Sequence, residues 1–216
     1  MIKGGIIKIK RKTIRAIYVS SYIPRKCGIA TFTKDLTNAV NMLNPYALAE
    51  IMALRKPEEI LDYPWEVKYK IKQNDLNSYL QAAKYINQSG ADVVMLEHEF
   101  GLYGGPSGEY IVPFVEQIKK PLVITCHTII DDETSRHGAV LKRIMAAADM
   151  IVAMMRESAE ELVQKYDVPG KKIAVIPHGT PDLPFRAMSV YKKRFGNRIV
   201  IGNINLLSEI KGVEYT

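Results

Sequence analysis

The chain has 216 residues, 47% of them hydrophobic, and a formal net charge of +7. That is enough apolar material for one sizeable core. No run reaches the roughly 18 consecutive apolar residues of a membrane span, and no apolar stretch follows the first charges as in a secretory signal. The charge is uneven: Lys3, Lys8, Lys10, Arg11, Lys12 and Arg15 account for six of the 30 basic groups, leaving 24 basic against 23 acidic groups in the remainder. The basicity therefore belongs to a short arm and not to a face built for nucleic acid, so no nucleic-acid partner is expected. Such an arm can make peripheral contact with phosphates or anionic lipid. The two cysteines, Cys27 and Cys126, fit a reducing cytoplasm, where the chain is expected to reside.

In chain order, an apolar run at Ile14–Ser20 predicts a strand. It enters a loop bearing Pro24 and Gly28, which opens a helix over Ile29–Leu43. Further strands are predicted at Ala47–Leu54, Glu66–Ile71, Asp92–Glu97, Pro121–His127, Met150–Met154 and Ile173–Pro177. They are rich in Val, Ile and Met and mostly apolar on both faces, as in a parallel sheet covered on two sides. Helices are predicted at Leu76–Ser89, Ser107–Lys119, Arg136–Ala148 and Glu157–Tyr166. This alternation predicts a doubly wound, Rossmann-like α/β domain with a parallel sheet. After Pro177 the text HGTPDLPFRAMSVYKKRFGN is rich in breakers and reads as a linker. Arg198–Ile204 reads as a new strand.

Several signatures are missing. There is no G-x-x-x-x-G-K-[ST] loop, the first strand–helix loop has Gly28 in place of G-x-G-x-x-G, His98-Glu99 lacks a second His to make a zinc-protease helix, and there is no G-x-S-x-G elbow. These absences argue against nucleotide hydrolysis, dehydrogenation, metalloproteolysis and serine-hydrolase chemistry. What stands out is LEHEFGLYGGPSGEY at the end of the fourth strand: Glu97, His98 and Glu99, then a glycine-rich turn with Gly104 and Gly105. Backbone amides in such a turn are expected to be free for anions or hydroxyls. Strand alternation sends Glu97 and Glu99 to one side and His98 to the other. The fifth strand delivers His127 to the same sheet edge, where ligands of open α/β folds bind.

With these residues in view, a family resemblance becomes plain. PRKCGIATFTKDL, HEFGLYGGPSGEY, TCHT, PHGTPD and LLSEIKGVEY occur in an order and spacing that resemble the N-terminal half of a glycosyltransferase family 4 enzyme. Members have the two-domain GT-B architecture, and the chain looks most like mannosyltransferase-like or glucosyltransferase-like members. The resemblance implies retaining transfer of a hexose from a nucleotide sugar to a carbohydrate or lipid-linked acceptor. It implies no cofactor beyond the nucleotide sugar as co-substrate, and no metal site. It assigns His127 to catalysis beside the reacting sugar carbon. Gly28, Glu97, His98, Glu99, Gly104 and Gly105 are assigned to substrate binding, and Lys211 to the departing diphosphate. Two departures stand out: Asn205-Leu206 where relatives carry Gly-Arg, and Met155 where relatives place a Ser or Thr helix cap.

The expected organisation is a basic arm over 1–13, an acceptor-side Rossmann-like domain over 14–178, a linker over 179–197, and the truncated start of a donor-binding domain over 198–216. On that reading the chain alone lacks the donor pocket and is inactive by itself, and a complementary C-terminal domain chain is a possible partner. The alternatives are a non-catalytic glycan- or partner-binding domain, or half of a split enzyme.

Overall fold

A computed structural model describes residues 13–180, 184–196 and 198–202. It divides into two compact units, residues 1–179 and 180–216.

The first unit is built on seven parallel strands: β1 (Ala16–Ser20), β2 (Glu50–Arg55), β3 (Val67–Lys72), β4 (Val93–His98), β5 (Leu122–Cys126), β6 (Met150–Ala153) and β7 (Ile173–Val175). Their order is β3-β2-β1-β4-β5-β6-β7. The progression reverses between β1 and β4, which is where open α/β sheets leave a crevice at their carboxyl ends. The long helices are α1 (Gly28–Leu43), α2 (Leu76–Gln88), α3 (Ile111–Gln117), α4 (Arg136–Ala147) and α5 (Arg156–Tyr166).

All five residues of β1 are buried, and their alternation divides the core. Ile17 and Val19 join a large cluster with Tyr79, Ala82 and Ala83 of α2, Phe114 of α3 and Leu141 of α4. Ala16 and Tyr18 join a smaller one with Ile51 and Ala53, against which Leu36 of α1 packs. Side-chain caps set two helix starts: the Asn77 amide donates to Asp75 (3.1 Å) and the Gly138 amide to Ser135 (3.0 Å). Met155, at the same position of α5, makes no side-chain cap.

Three expectations are corrected. The helix expected over Ser107–Lys119 is only Ile111–Gln117, preceded by a 3₁₀ turn at Pro106–Gly108. Positive φ at Gly105, Ser107 and Gly108 (78°, 57° and 74°) breaks any continuous helix there. Pro113, within the first turn of α3, is tolerated because its missing N–H has no intrahelical partner to lose.

The strand expected at Arg198–Ile204 is not formed over 198–202, where Ile199 and Ile201 are exposed and no strand pairs with the segment among the described residues. Apolar β-branched sequence makes a strand only when another strand accepts its ladder. Positions 203–216, including Asn205, Leu206 and Lys211, lie outside the described residues. The segment read as an irregular linker contains a short helix, α6 (Met188–Lys192), and a 3₁₀ turn at Lys193–Phe195.

Candidate active site at the β1–β4–β5 rim

β4 and β5 run in register, with Glu97 opposite Thr125 and His98 opposite Cys126. The pleat therefore puts Glu97, Thr125 and the following His127 on one face, and His98 with Cys126 on the other. His127 Nε2 lies 3.0 Å from Glu97 Oε2, and its backbone N–H donates to the His98 carbonyl at 3.0 Å. The Glu97 side chain is wholly buried and that of His127 only 7% exposed. Phe32, one helical turn into α1 from Gly28, sets its ring edge-on to the imidazole at 4.8 Å and lies 5.0 Å from the ring of His178. The imidazole is thus held by a carboxylate behind and a phenyl ring beside it. Its Nδ1 has no hydrogen-bond partner among the described residues.

The acid's surroundings are fixed as well. Tyr103 donates its hydroxyl to the Glu97 carbonyl at 2.5 Å. Burial, reinforced by the Glu97 charge, pushes the Tyr18 phenol up to about 12, so Tyr18 stays neutral. Glu97 Oε1 has no hydrogen-bond partner among the described residues. Half-buried Glu99 accepts a 2.6 Å bond from Thr128 Oγ1, tying the tip of β4 to the segment after β5.

His98, Gly104 and Gly105 have other partners. His98 is fully buried on the opposite face, stacked on Tyr103 at 5.8 Å and edge-on to Phe100 at 4.8 Å. Neither of its ring nitrogens is hydrogen-bonded among the described residues. Burial first, and the nearby His127 second, push its pKa down to about 3, so it is a neutral ring packed in the core.

Two amides of the glycine turn, expected to be free, are taken. The Gly104 amide donates to Tyr79 Oη at 3.0 Å and the Gly108 amide to the Gly105 carbonyl at 3.1 Å. A Cβ at position 104 would collide with the Gln73 carbonyl oxygen, and one at 105 would meet the Tyr110 ring. These glycines serve close packing of the turn. Gly28 differs: it is exposed, it begins α1, and nothing lies within 4 Å of where its Cβ would be.

The loop leading to Gly28 is rigidly anchored. Ser20 and Thr33 share a buried 2.7 Å hydroxyl bond, and Arg25, its side chain nearly buried, pairs with Glu59 at 3.1 Å. Phe32 and Thr128 escaped the sequence reading. For Phe32 a signal existed, since it follows Gly28 by four positions and so lies one turn along the same helix face. For Thr128 there was none. No group of three His, Cys, Asp or Glu side chains gathers as a metal site among the described residues. Surface depressions of about 930 Å³, between α2 and α3, and about 330 Å³, beside α5 and β7, include none of the candidate site residues.

Residues 47–182 match the family model described as Glycosyltransferase Family 4. The chain belongs to glycosyltransferase family 4. Solved structures similar to this family member include an α-glucosyltransferase in complex with UDP and a 13-mer DNA containing an HMU base. It is 12% identical with a TM-score of 0.54, and the match covers 78% of this chain and 43% of that one. Another is a UDP-GlcNAc 2-epimerase from Neisseria meningitidis bound to UDP-GlcNAc, 10% identical with a TM-score of 0.54, covering 75% and 45%. At these identities the likeness establishes the fold alone, a Rossmann-like domain of the GT-B type. The family 4 chain spans less than half the length of these relatives. No curated protein matches it in sequence. Among the described residues no helix is long and apolar enough to cross a membrane.

Proposed function

We propose that the chain is the acceptor-side portion of a glucosyltransferase-like or mannosyltransferase-like enzyme that transfers a hexose from a nucleotide sugar, with retention, to a sugar or lipid-linked hydroxyl. The observation that carries the reading is the 3.0 Å pairing of His127 Nε2 with buried Glu97 Oε2 at the sheet's switch point. With Nε2 engaged and the ring braced by Phe32, the unengaged Nδ1 is the nitrogen left to meet a sugar hydroxyl or a polarised ring oxygen. An orientation fixed before substrate arrives is what transition-state stabilisation requires.

Glu99 and Thr128 supply further polar atoms on the acceptor side. Gly28 leaves open space at the α1 N-terminus, whose free amides suit a diphosphate. Lys211, outside the described residues, is assigned to the leaving diphosphate. Stabilising that charge by a fixed cation and helix amides needs no metal. Glu97 acts through His127, as a positioning residue.

The test is turnover of UDP-glucose, GDP-mannose and ADP-glucose by the chain joined to a donor-binding domain. One of the donors should be consumed, with retained configuration in the product. His127→Ala should lower kcat by about 10²-fold, the scale of one preorganised polar contact. No turnover with any donor, or unchanged kcat in the variant, overturns the assignment. A second reading is a non-catalytic glycan- or partner-binding module, or half of a split enzyme. Oligosaccharide binding without nucleotide-sugar affinity would favour the module. Turnover only on adding a second polypeptide would favour the split enzyme.

A further inference from the structure

Three aromatic rings from distant parts of the sequence meet in a row at the sheet rim. Phe32 of α1 stands edge-on to His127, after β5, at 4.8 Å, and its ring lies 5.0 Å from that of His178, after β7, the two planes tilted by 57°. The His127 side chain is nearly buried, Phe32 is half-buried and His178 is exposed. His178 is therefore the solvent-side neighbour of the phenyl ring. It belongs to the first compact unit and is itself held. The Ile176 amide donates to the Ala153 carbonyl at 3.0 Å, which ties the chain to the end of β6 as it leaves β7. His178 Nδ1 donates to the Gly179 carbonyl at 2.7 Å, which sets the tautomer of the ring. The start of α1 offers less: Cys27 makes no side-chain cap there, and nothing lies within 4 Å of where a Cβ of Gly28 would be. Neither residue braces Phe32 from its own helix.

We propose that His178 is a positioning residue for His127 and acts through Phe32. The inference rests on the glycosyl-transfer reading for what the imidazole does, and adds to it a residue which that reading leaves unused. The bond from His127 Nε2 to Glu97 fixes one nitrogen, but a single hydrogen bond leaves the imidazole plane free to rock about it. Phe32 removes that freedom only while its own ring stays in one rotamer. A half-buried phenyl ring open to water on its outer side has other staggered positions within reach. His178 closes them, at a ring separation where aromatic pairs attract beyond the area they bury. The orientation of Nδ1, the nitrogen left to meet substrate, thus depends on a residue that does not touch His127. The role needs the flat ring at position 178 and not its proton. An aromatic side chain without nitrogen would serve there, and a methyl group would not.

The test is proton–carbon correlation NMR of the imidazoles in the full chain, with the His127 signals assigned by their loss in His127→Gln. Phe32→Leu supplies the reference for an unbraced ring. In His178→Ala the His127 Cε1–H and Cδ2–H signals should move toward their Phe32→Leu positions. In His178→Phe they should return to those of the parent. Position 178 is exposed, so the thermal melts of both variants should match the parent, which separates lost orientation from lost folding. Unmoved His127 signals in His178→Ala overturn the proposal. So does a displacement that His178→Phe fails to reverse, because it would assign the effect to the lost bond to Gly179 and not to the ring on Phe32. A melt lowered in His178→Ala with the His127 signals in place would make the contact structural, and overturns it as well. The signals are read without substrate, so failure to turn over any nucleotide sugar would defeat the transfer reading and leave this result untouched.

Discussion

Substituting Gly104 by Ala separates a glycine that packs from a glycine that leaves room. The added Cβ would collide with the Gln73 carbonyl oxygen and come within 2.9 Å of Tyr110 Cδ2. The first obstacle is backbone at the end of β3, which cannot swing aside as a flexible side chain does. Overpacking of this kind costs about 1–3 kcal/mol. Moving the 104 backbone away would also stretch the 3.0 Å bond from its amide to Tyr79 Oη. Tyr79 is fully buried, so the stranded donor costs roughly another 1–3 kcal/mol. The expected loss is therefore about 2–6 kcal/mol, read by urea denaturation with the m-value held constant. Gly28→Ala, with open space and an ordinary helical backbone, should be neutral or stabilise by up to about 1 kcal/mol. A Gly104→Ala variant within about 0.5 kcal/mol of the parent would show that the turn does not pack against β3 as described, and the account of these glycines would fail.

Met155→Ser should give α5 the side-chain cap it lacks and add about 1 kcal/mol in the same denaturation assay; no gain would mean the first turn is satisfied in another way. Glu66 concerns pH. Burial alone would raise its pKa, but hydrogen bonds from Lys34 (2.7 Å) and Tyr22 (3.1 Å) bring it below the ordinary 4.5. Its contribution is thus fully present above pH 4.5 and is lost as pH falls through the lower folded value, so Glu66→Gln should flatten the acid limb of a stability–pH profile while lowering stability at neutral pH. His98 acts in the same direction from a higher pH. Its folded pKa, about 3, lies below the ordinary 6.5, so stability should fall as pH drops below 6.5, where only the unfolded state takes up the proton. His98→Leu should remove that slope and be neutral or stabilising, since two buried ring nitrogens without hydrogen bonds among the described residues are replaced by apolar atoms. A loss above about 2 kcal/mol would show that those nitrogens are satisfied in solution.

The sheet was legible because most of its strands carry apolar residues on both faces, and all seven occur near the predicted segments, β3 (VKYKIK) as an alternating edge strand. Family membership was legible in motifs that no periodicity argument produces. What composition could not supply is the conformation of single residues. The positive φ of Ser107, 57°, cannot be told from its residue type, and with Gly108 it delays the start of α3 beyond the expected Ser107. The run Ile199-Val200-Ile201 has strand chemistry, but strand formation belongs to the pair of strands and not to the segment. The glycine turn after β4 looked like a cradle because flexibility and close packing leave the same residue in a sequence. Only the collision with Gln73 tells them apart. Thr128 was missed because its role depends on the registry of two strands.

The triplet Glu97-His98-Glu99 is better understood as two devices than as one cluster. Strand alternation assigns His98 to the face that packs on Phe100 and Tyr103, where a neutral ring fills space, and its carbonyl takes the His127 amide. The same alternation assigns Glu97 to the face of His127. There burial denies it to any substrate but makes it an effective brace, because no water competes for Oε2 and Tyr103 fixes its backbone from the other side of the sheet. A brace of this kind has to be buried, and a ligand-binding group has to be reachable. The two requirements cannot fall on the same carboxylate. The half-buried polar side chains one step further out are Glu99 and Thr128, which bond each other. That division separates the two acids at the strand's end: the inner one pairs with the imidazole and the outer one with Thr128.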